Sequence, residues 1–179
     1  MRACLYRLRK CDPKLIILIA IAVGIYALET IVPKPLPWLR VGFSNAIVLT
    51  TLMLYGWKDA LIVTVARTLL GNTVTGTILT PAPVIGLAGG IASLFLMTIA
   101  YGTHLFSPVG VSIVGALTHN LVQLLVVSVI LGYFGVHMLV PIFILLSIVT
   151  GAITGVLAYY LYEFLRPKTE TLDLNDRPD

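Results

Sequence analysis

Pro35-Leu-Pro-Trp-Leu-Arg-Val-Gly-Phe-Ser-Asn45 is the stretch where two prolines, a Trp, a cation, a Gly and an amide crowd together, with long apolar runs on both sides. Two prolines one residue apart cannot sit inside a regular helix, because they lack N–H donors and clash with the preceding turn. The backbone therefore leaves helical geometry here and enters a new apolar run from Val41 onwards. Trp38 suits a membrane–water boundary, and Arg40 beside it can face water or phosphate. The stretch reads as a re-entry loop that carries function, held by the segments around it.

Composition decides what kind of segments those are. Of 179 residues, 58% are hydrophobic and 11% charged, with a mean hydropathy of +0.99. A soluble domain carries about 25% charged and about 45–50% apolar residues. A chain this short cannot hide so much apolar surface in one soluble core, which makes it an integral membrane protein. The net charge of +4 is no nucleic-acid signal. Five of the twelve cations, Arg2, Arg7, Arg9, Lys10 and Lys14, precede the first apolar run, where they set topology. Cys4 and Cys11 share that basic segment, so a reduced, cytosolic setting is expected rather than a disulfide.

Outward from the loop, six apolar runs follow one another: Leu15–Val32, Val41–Trp57, Ala60–Leu79, Val84–Tyr101, Val109–Leu131 and Met138–Leu165. Most approach the roughly 20 residues a bilayer needs. The first resembles a signal peptide but is long enough to span, and reads as a retained helix. Prolines, Gly56-Trp-Lys-Asp59 and Gly132 to Gly135 separate the runs. The expected organisation is a basic N-terminus over residues 1–14, a membrane domain over 15–165, and a polar, disordered tail over 166–179. Six helices place both termini on one side. Putting them in the cytoplasm leaves nine cations inside and only Lys34 and Arg40 outside, with Arg67 inside a helix.

A charge at mid-bilayer costs about 2.5–3.5 kcal/mol, so each polar group in a run needs a reason. Glu29 falls in the outer third of the first run, Asn45 near the outer end of the second, and Asn72 in the third. His119, Asn120 and Gln123 lie on the fifth, with His119 and Gln123 on one face by their i, i+4 spacing. Together they form one outer-half layer. Either it is a small-molecule pocket, or its members hydrogen-bond each other as interhelical glue. Arg67 sits about 10 Å above the inner end of its run, too far below Glu29 for direct pairing; snorkelling to the inner headgroups is its default, and pairing with a buried acceptor or with a partner protein are the alternatives. Lys34 and Arg40 either attract an anionic ligand or anchor the loop to headgroups. Small residues at helix-packing spacing, Ala20/Gly24, Gly86/Gly90, Gly89/Ser93 and Gly151/Gly155, pack the bundle, or in the case of Ala20 and Gly24 dock a partner protein.

Catalytic chemistry finds no foothold. The histidines His104, His119 and His137 lie in separate segments without metal-ligand spacing, and the helices hold no acidic pair for magnesium and diphosphate. No phosphate-cradling Gly-rich loop occurs, so ATP hydrolysis would fall to other subunits. No cofactor, metal or enzymatic activity is expected of this chain alone.

Three segments resemble a known family. Pro37-Trp-Leu-Arg-Val-Gly-Phe-Ser-Asn-Ala-Ile-Val-Leu49 resembles the P-G-I-K-L-G-L-A-N-I-V-T-L segment of the Gx transporter family, also labelled heptaprenyl diphosphate synthase component I. Ile85-Gly-Leu-Ala-Gly-Gly-Ile-Ala-Ser93 is similar to its S-L-A-G-G-L-L-S segment. Gly110-Val-Ser-Ile-Val-Gly-Ala-Leu-Thr-His-Asn-Leu-Val-Gln123 is similar to its G-V-S-V-A-G-A-V-A-H-N-x-x-Q segment, the most specific of the three. Trp38 replaces the usual Gly, Arg40 the usual Lys and Ser44 the usual Ala. That family in turn resembles the S components of energy-coupling-factor (ECF) vitamin transporters. The resemblance implies an all-α bundle of six transmembrane helices in the plasma membrane, with cytoplasmic termini and an outward-facing pocket. It makes Arg40, Asn45, Asn72, His119, Asn120 and Gln123 pocket candidates. It also implies a coupling subunit with ATPases as partners, docked through small residues of the first helix. The synthase label implies instead a prenyl diphosphate synthase as partner in quinone biosynthesis.

Overall fold

The computed structural model describes residues 13–31, 42–132 and 134–166. Lys34, Arg40 and the Pro35–Trp38 part of the loop lie outside them, as do Cys4, Cys11 and the tail beyond Arg166. The described residues form six α-helices and no strand: α1 Pro13–Ile31, α2 Ser44–Tyr55, α3 Trp57–Val74, α4 Ala82–Gly102, α5 Pro108–Leu131 and α6 Val140–Leu165, with a 3₁₀ segment Phe134–Leu139 ahead of the last. Four of them, α1, α4, α5 and α6, are long and apolar enough to cross a membrane.

Local chemistry sets the ends. Pro83, Pro108 and Pro141 fall in the first turns of α4, α5 and α6, where a missing N–H costs nothing. Ser107 caps α5 by accepting from Gly110 N at 3.2 Å, and Gly132 closes it in the left-handed conformation. The third helix stops at Val74, five residues before its apolar run ends, because Gly76 turns the chain at φ 69°.

α2 organises the bundle. It is 12 residues, about 18 Å long, against a hydrocarbon core of about 30 Å. Every residue from Ser44 to Leu52 is buried, and α2 touches all five other helices. A helix apolar on all sides belongs in an interior, and here that interior is protein rather than lipid. Thr50 ties it to α6 through Ala158 O at 3.3 Å. The outer helices show the reverse pattern. On α1, Leu15, Leu18, Ala22, Tyr26 and Glu29 form a buried stripe at steps of three and four, while Ile16, Ile17 and Leu28 are more than half exposed. Both faces are apolar, so only the packing distinguishes core from lipid side.

Glycines set the distances between helices. A Cβ on Gly151 or Gly155 of α6 would stand 2.7 Å from the Cα atoms of Ile113 or Val109 on α5. Gly71 of α3 lies under the ring of Tyr26 on α1, and Gly90 of α4 against Thr64 of α3. Ala20 and Gly24 behave differently: both are exposed, and nothing lies within 4 Å of a Cβ placed on Gly24. They face away from the bundle.

The α2–α3 reversal turns on Gly56, at φ 91° and ψ −179°. Only glycine adopts this region without strain, which costs other residues about 1–3 kcal/mol. No neighbour approaches a Cβ built there. Gly56→Ala is therefore expected to lower stability by about 1–3 kcal/mol from backbone strain alone, readable as a lower unfolding midpoint in detergent with the ligand response retained.

Candidate functional site

Because α2 and α3 reverse at Gly56, residues equidistant from it lie level. Asn45 is eleven residues before Gly56 and Arg67 eleven after. Arg67 Nη2 donates to Asn45 Oδ1 and Nη1 to Ser44 Oγ, both at 2.6 Å. Ser44 in turn donates to Glu29 Oε2 at 3.5 Å, while Glu29 Oε1 accepts from the backbone N–H of Phe43. Arg67 is 2% exposed and Glu29 7%. The snorkelling expected for Arg67 is thus replaced by a buried network, with Ser44 spanning the gap between the two charges.

The electrostatic logic is that of a helix start. The first amides of α2 have no intrahelical acceptors, and a carboxylate there is favoured by the helix dipole. Glu29 supplies it from another helix. Arg67 brings a cation to the same positive end, which Glu29, Ser44 and Asn45 make tolerable. Buried charges persist when paired and hydrogen-bonded in this way.

Other amides of the layer are engaged between helices. Asn72 on α3 donates to Tyr26 Oη at 2.7 Å and Thr68 O at 2.6 Å, and accepts from Thr77 Oγ1 at 2.8 Å. Asn120 on α5 donates to Ser147 Oγ on α6 at 2.7 Å. A double-mutant cycle of Asn120→Ala and Ser147→Ala should give a coupling of about 0.6 kcal/mol, and no more than about 1.7, the range of interhelical side-chain bonds in membranes. Detergent unfolding midpoints of the four proteins measure it.

His119 and Gln123 form the remaining pair. Gln123 Nε2 and His119 Nε2 are 3.0 Å apart on one face of α5. Gly89 of α4 closes over them: a Cβ there would meet Gln123 Cγ at 2.9 Å and His119 Nδ1 at 3.1 Å. Gln123 is 1% exposed, and its Oε1 has no hydrogen-bond partner among the described residues. The same holds for Ser93 Oγ, one turn further along α4.

Of the residues singled out in the sequence, the structure brings Glu29 and Asn45 into one network, sets Asn72 and Asn120 in separate interhelical bonds, and pairs His119 with Gln123. Arg40 lies outside the described residues. Ser44, Tyr26 and Ser147 contribute without standing out in the sequence, and Ser93 stands out there only as a small packing residue. The symmetry of Asn45 and Arg67 about Gly56 is the signal that could have found the first of these. An apolar groove lined by Trp57, Leu61, Ile91, Leu94, Phe95 and Thr98 opens elsewhere and contains none of these groups. Among the described residues no cluster of His, Cys, Asp or Glu could hold a metal.

Long apolar helices with a polar interior define a multi-pass α-helical membrane protein. A family model described as heptaprenyl diphosphate synthase component I matches residues 18–161, and the chain belongs to that family. No curated protein and no solved structure matches it.

Proposed function

We propose that this chain is the substrate-binding subunit of an uptake transporter, similar to the S component of an ECF system, and not itself an enzyme. The observation that carries the reading is the layer of buried polar side chains from α1, α2, α3 and α5 in an otherwise apolar bundle, in which Gln123 retains an acceptor without a partner. Glue alone would leave no such group, since an unsatisfied buried acceptor is costly. Binding residues in this reading are Arg40, Glu29, Asn45, Asn72, His119, Asn120 and Gln123. Arg40 and Lys34 suit a small anionic vitamin or a quinone or isoprenoid precursor. Six helices cross the plasma membrane with both termini in the cytoplasm, α2 contributing the short inner span. The membrane domain covers residues 15–165, flanked by the N-terminus over 1–14 and the tail over 166–179. Ala20 and Gly24, exposed on α1, dock the coupling subunit and its ATPases.

A second reading comes from the family's description: a membrane partner of a heptaprenyl diphosphate synthase. Affinity purification from the native host in mild detergent, followed by mass spectrometry of proteins and small molecules, separates the two. Coupling and ATPase subunits or a stoichiometric metabolite are expected, the subunits being lost with Gly24→Leu. Recovery of a prenyl synthase with neither would replace the transporter reading with the second.

A further inference from the structure

The transporter reading leaves open what kind of group its ligand presents inside the bundle. Resting on that reading, we propose that the α4–α5 seam around Ser93 and Gln123 is the deep end of the pocket, and that it receives an uncharged part of the ligand that both donates and accepts hydrogen bonds.

Ser93 is the first observation. Hydroxyls on these helices typically bond back to the carbonyl four residues earlier: Thr50, Thr51, Thr64, Thr68, Thr98, Thr118 and Ser147 all do so at 2.6–2.9 Å. That bond satisfies a hydroxyl in an apolar setting. Ser93 makes no such bond, although it is 0% exposed. Its Oγ instead points across the seam, 3.3 Å from the Cβ position of Gly115 on α5. Gln123, two turns further along α5, is the second observation: its Oε1 is an acceptor with nothing to accept from. A hydroxyl with no acceptor and an amide oxygen with no donor, both buried at one seam and flanking His119, are the complement of a group that carries both an acceptor and a donor.

Charge narrows the class. Glu29 and Arg67, the buried charges on the adjacent helices, already converge on Ser44. Arg67 Nη2 comes within 3.7 Å of the Cβ position of Gly90, next to the seam, which disfavours a cation. Gln123 Oε1, which can only accept, disfavours an anion. What remains is a neutral group, an amide, a lactam or a hydroxyl. Entry requires α4 and α5 to part where Gln123 and His119 pack over Gly89 and Met97 packs over Gly115.

The test is thermal unfolding of the full-length protein in detergent with matched probes: nicotinamide against nicotinate, thymine against orotate, and sodium chloride against choline chloride. The expected result has three parts. At least one neutral probe raises the unfolding midpoint of the wild type. That shift falls at least tenfold in apparent affinity in both Ser93→Ala and Gln123→Met. Ser93→Ala without ligand unfolds no lower than the wild type, because no bond is lost. A lower midpoint for unliganded Ser93→Ala would make the hydroxyl structural and overturn the proposal. So would the absence of a shift from either neutral probe, or a shift that survives both substitutions. A carboxylate probe that raises the wild-type midpoint and loses that shift in Ser93→Ala would overturn the neutral class. If, in addition, native purification recovers neither metabolite nor coupling subunits, the transporter reading falls with it.

Discussion

Arg67→Met is expected to destabilise the bundle by about 3–5 kcal/mol, the cost of breaking a buried charge network by removing one member. The loss is concentrated at the start of α2. Without the guanidinium, Asn45 Oδ1 loses its donor and Ser44 one of its partners, while Glu29 stays buried beside the first amides of α2. Glu29→Gln alone should also destabilise, since it weakens the acceptor for Phe43 N and leaves Arg67 without its nearest buried carboxylate. The double variant should cost less than the sum, by about 0.5–3 kcal/mol, because the two changes remove one network between them. Unfolding midpoints of the four proteins in one detergent measure the cycle. Additive losses would show that the two charges act independently and that Ser44 does not connect them. Since α2 touches every other helix, the unfolding transition should remain a single step.

Gly151→Val should be comparably severe for a different reason. The added Cβ meets backbone, Ile113 Cα at 2.7 Å, which cannot rotate away as a side chain would. Overpacking of this kind costs about 1–3 kcal/mol and occasionally more. Separating α5 from α6 would also stretch the Asn120–Ser147 and Ser112–Thr154 bonds, which lie along the same interface. The expected result is a large fall in unfolding midpoint and in the yield of folded protein. Gly24→Val serves as the contrast, because no described residue beyond the local helix backbone lies within 4 Å of a Cβ placed there. It should leave the midpoint nearly unchanged, apart from the ordinary preference of helices for residues other than glycine. Equal effects at Gly24 and Gly151 would contradict the packing described here.

Much of this protein is legible without coordinates. Apolar runs and their proline and glycine breaks locate the helices to within a few residues, because a bilayer demands continuous apolar length and breakers interrupt it. The family, too, is readable from the segment around Asn45 and from His119-Asn-x-x-Gln123, and the family match confirms it. The polar residues were identifiable because each is costly in lipid and therefore conspicuous.

Their partners were not legible. Depth counted from the ends of apolar runs disfavours direct pairing of Arg67 with Glu29 but does not reveal Ser44, which connects them. Equally hidden was which face of each helix is core. In a membrane both faces are apolar, so the periodicity that marks the buried side of a soluble helix is missing, and close packing at Gly71, Gly89, Gly151 and Gly155 decides it instead. Apolar length and the rarity of charge are enough to read a membrane-embedded helical protein with costly polar groups inside. Only the tertiary structure decided that Glu29, Ser44, Arg67 and Asn45 close on one another while Ser93 and Gln123 do not, because hydrogen bonds between helices depend on register, which no single run encodes.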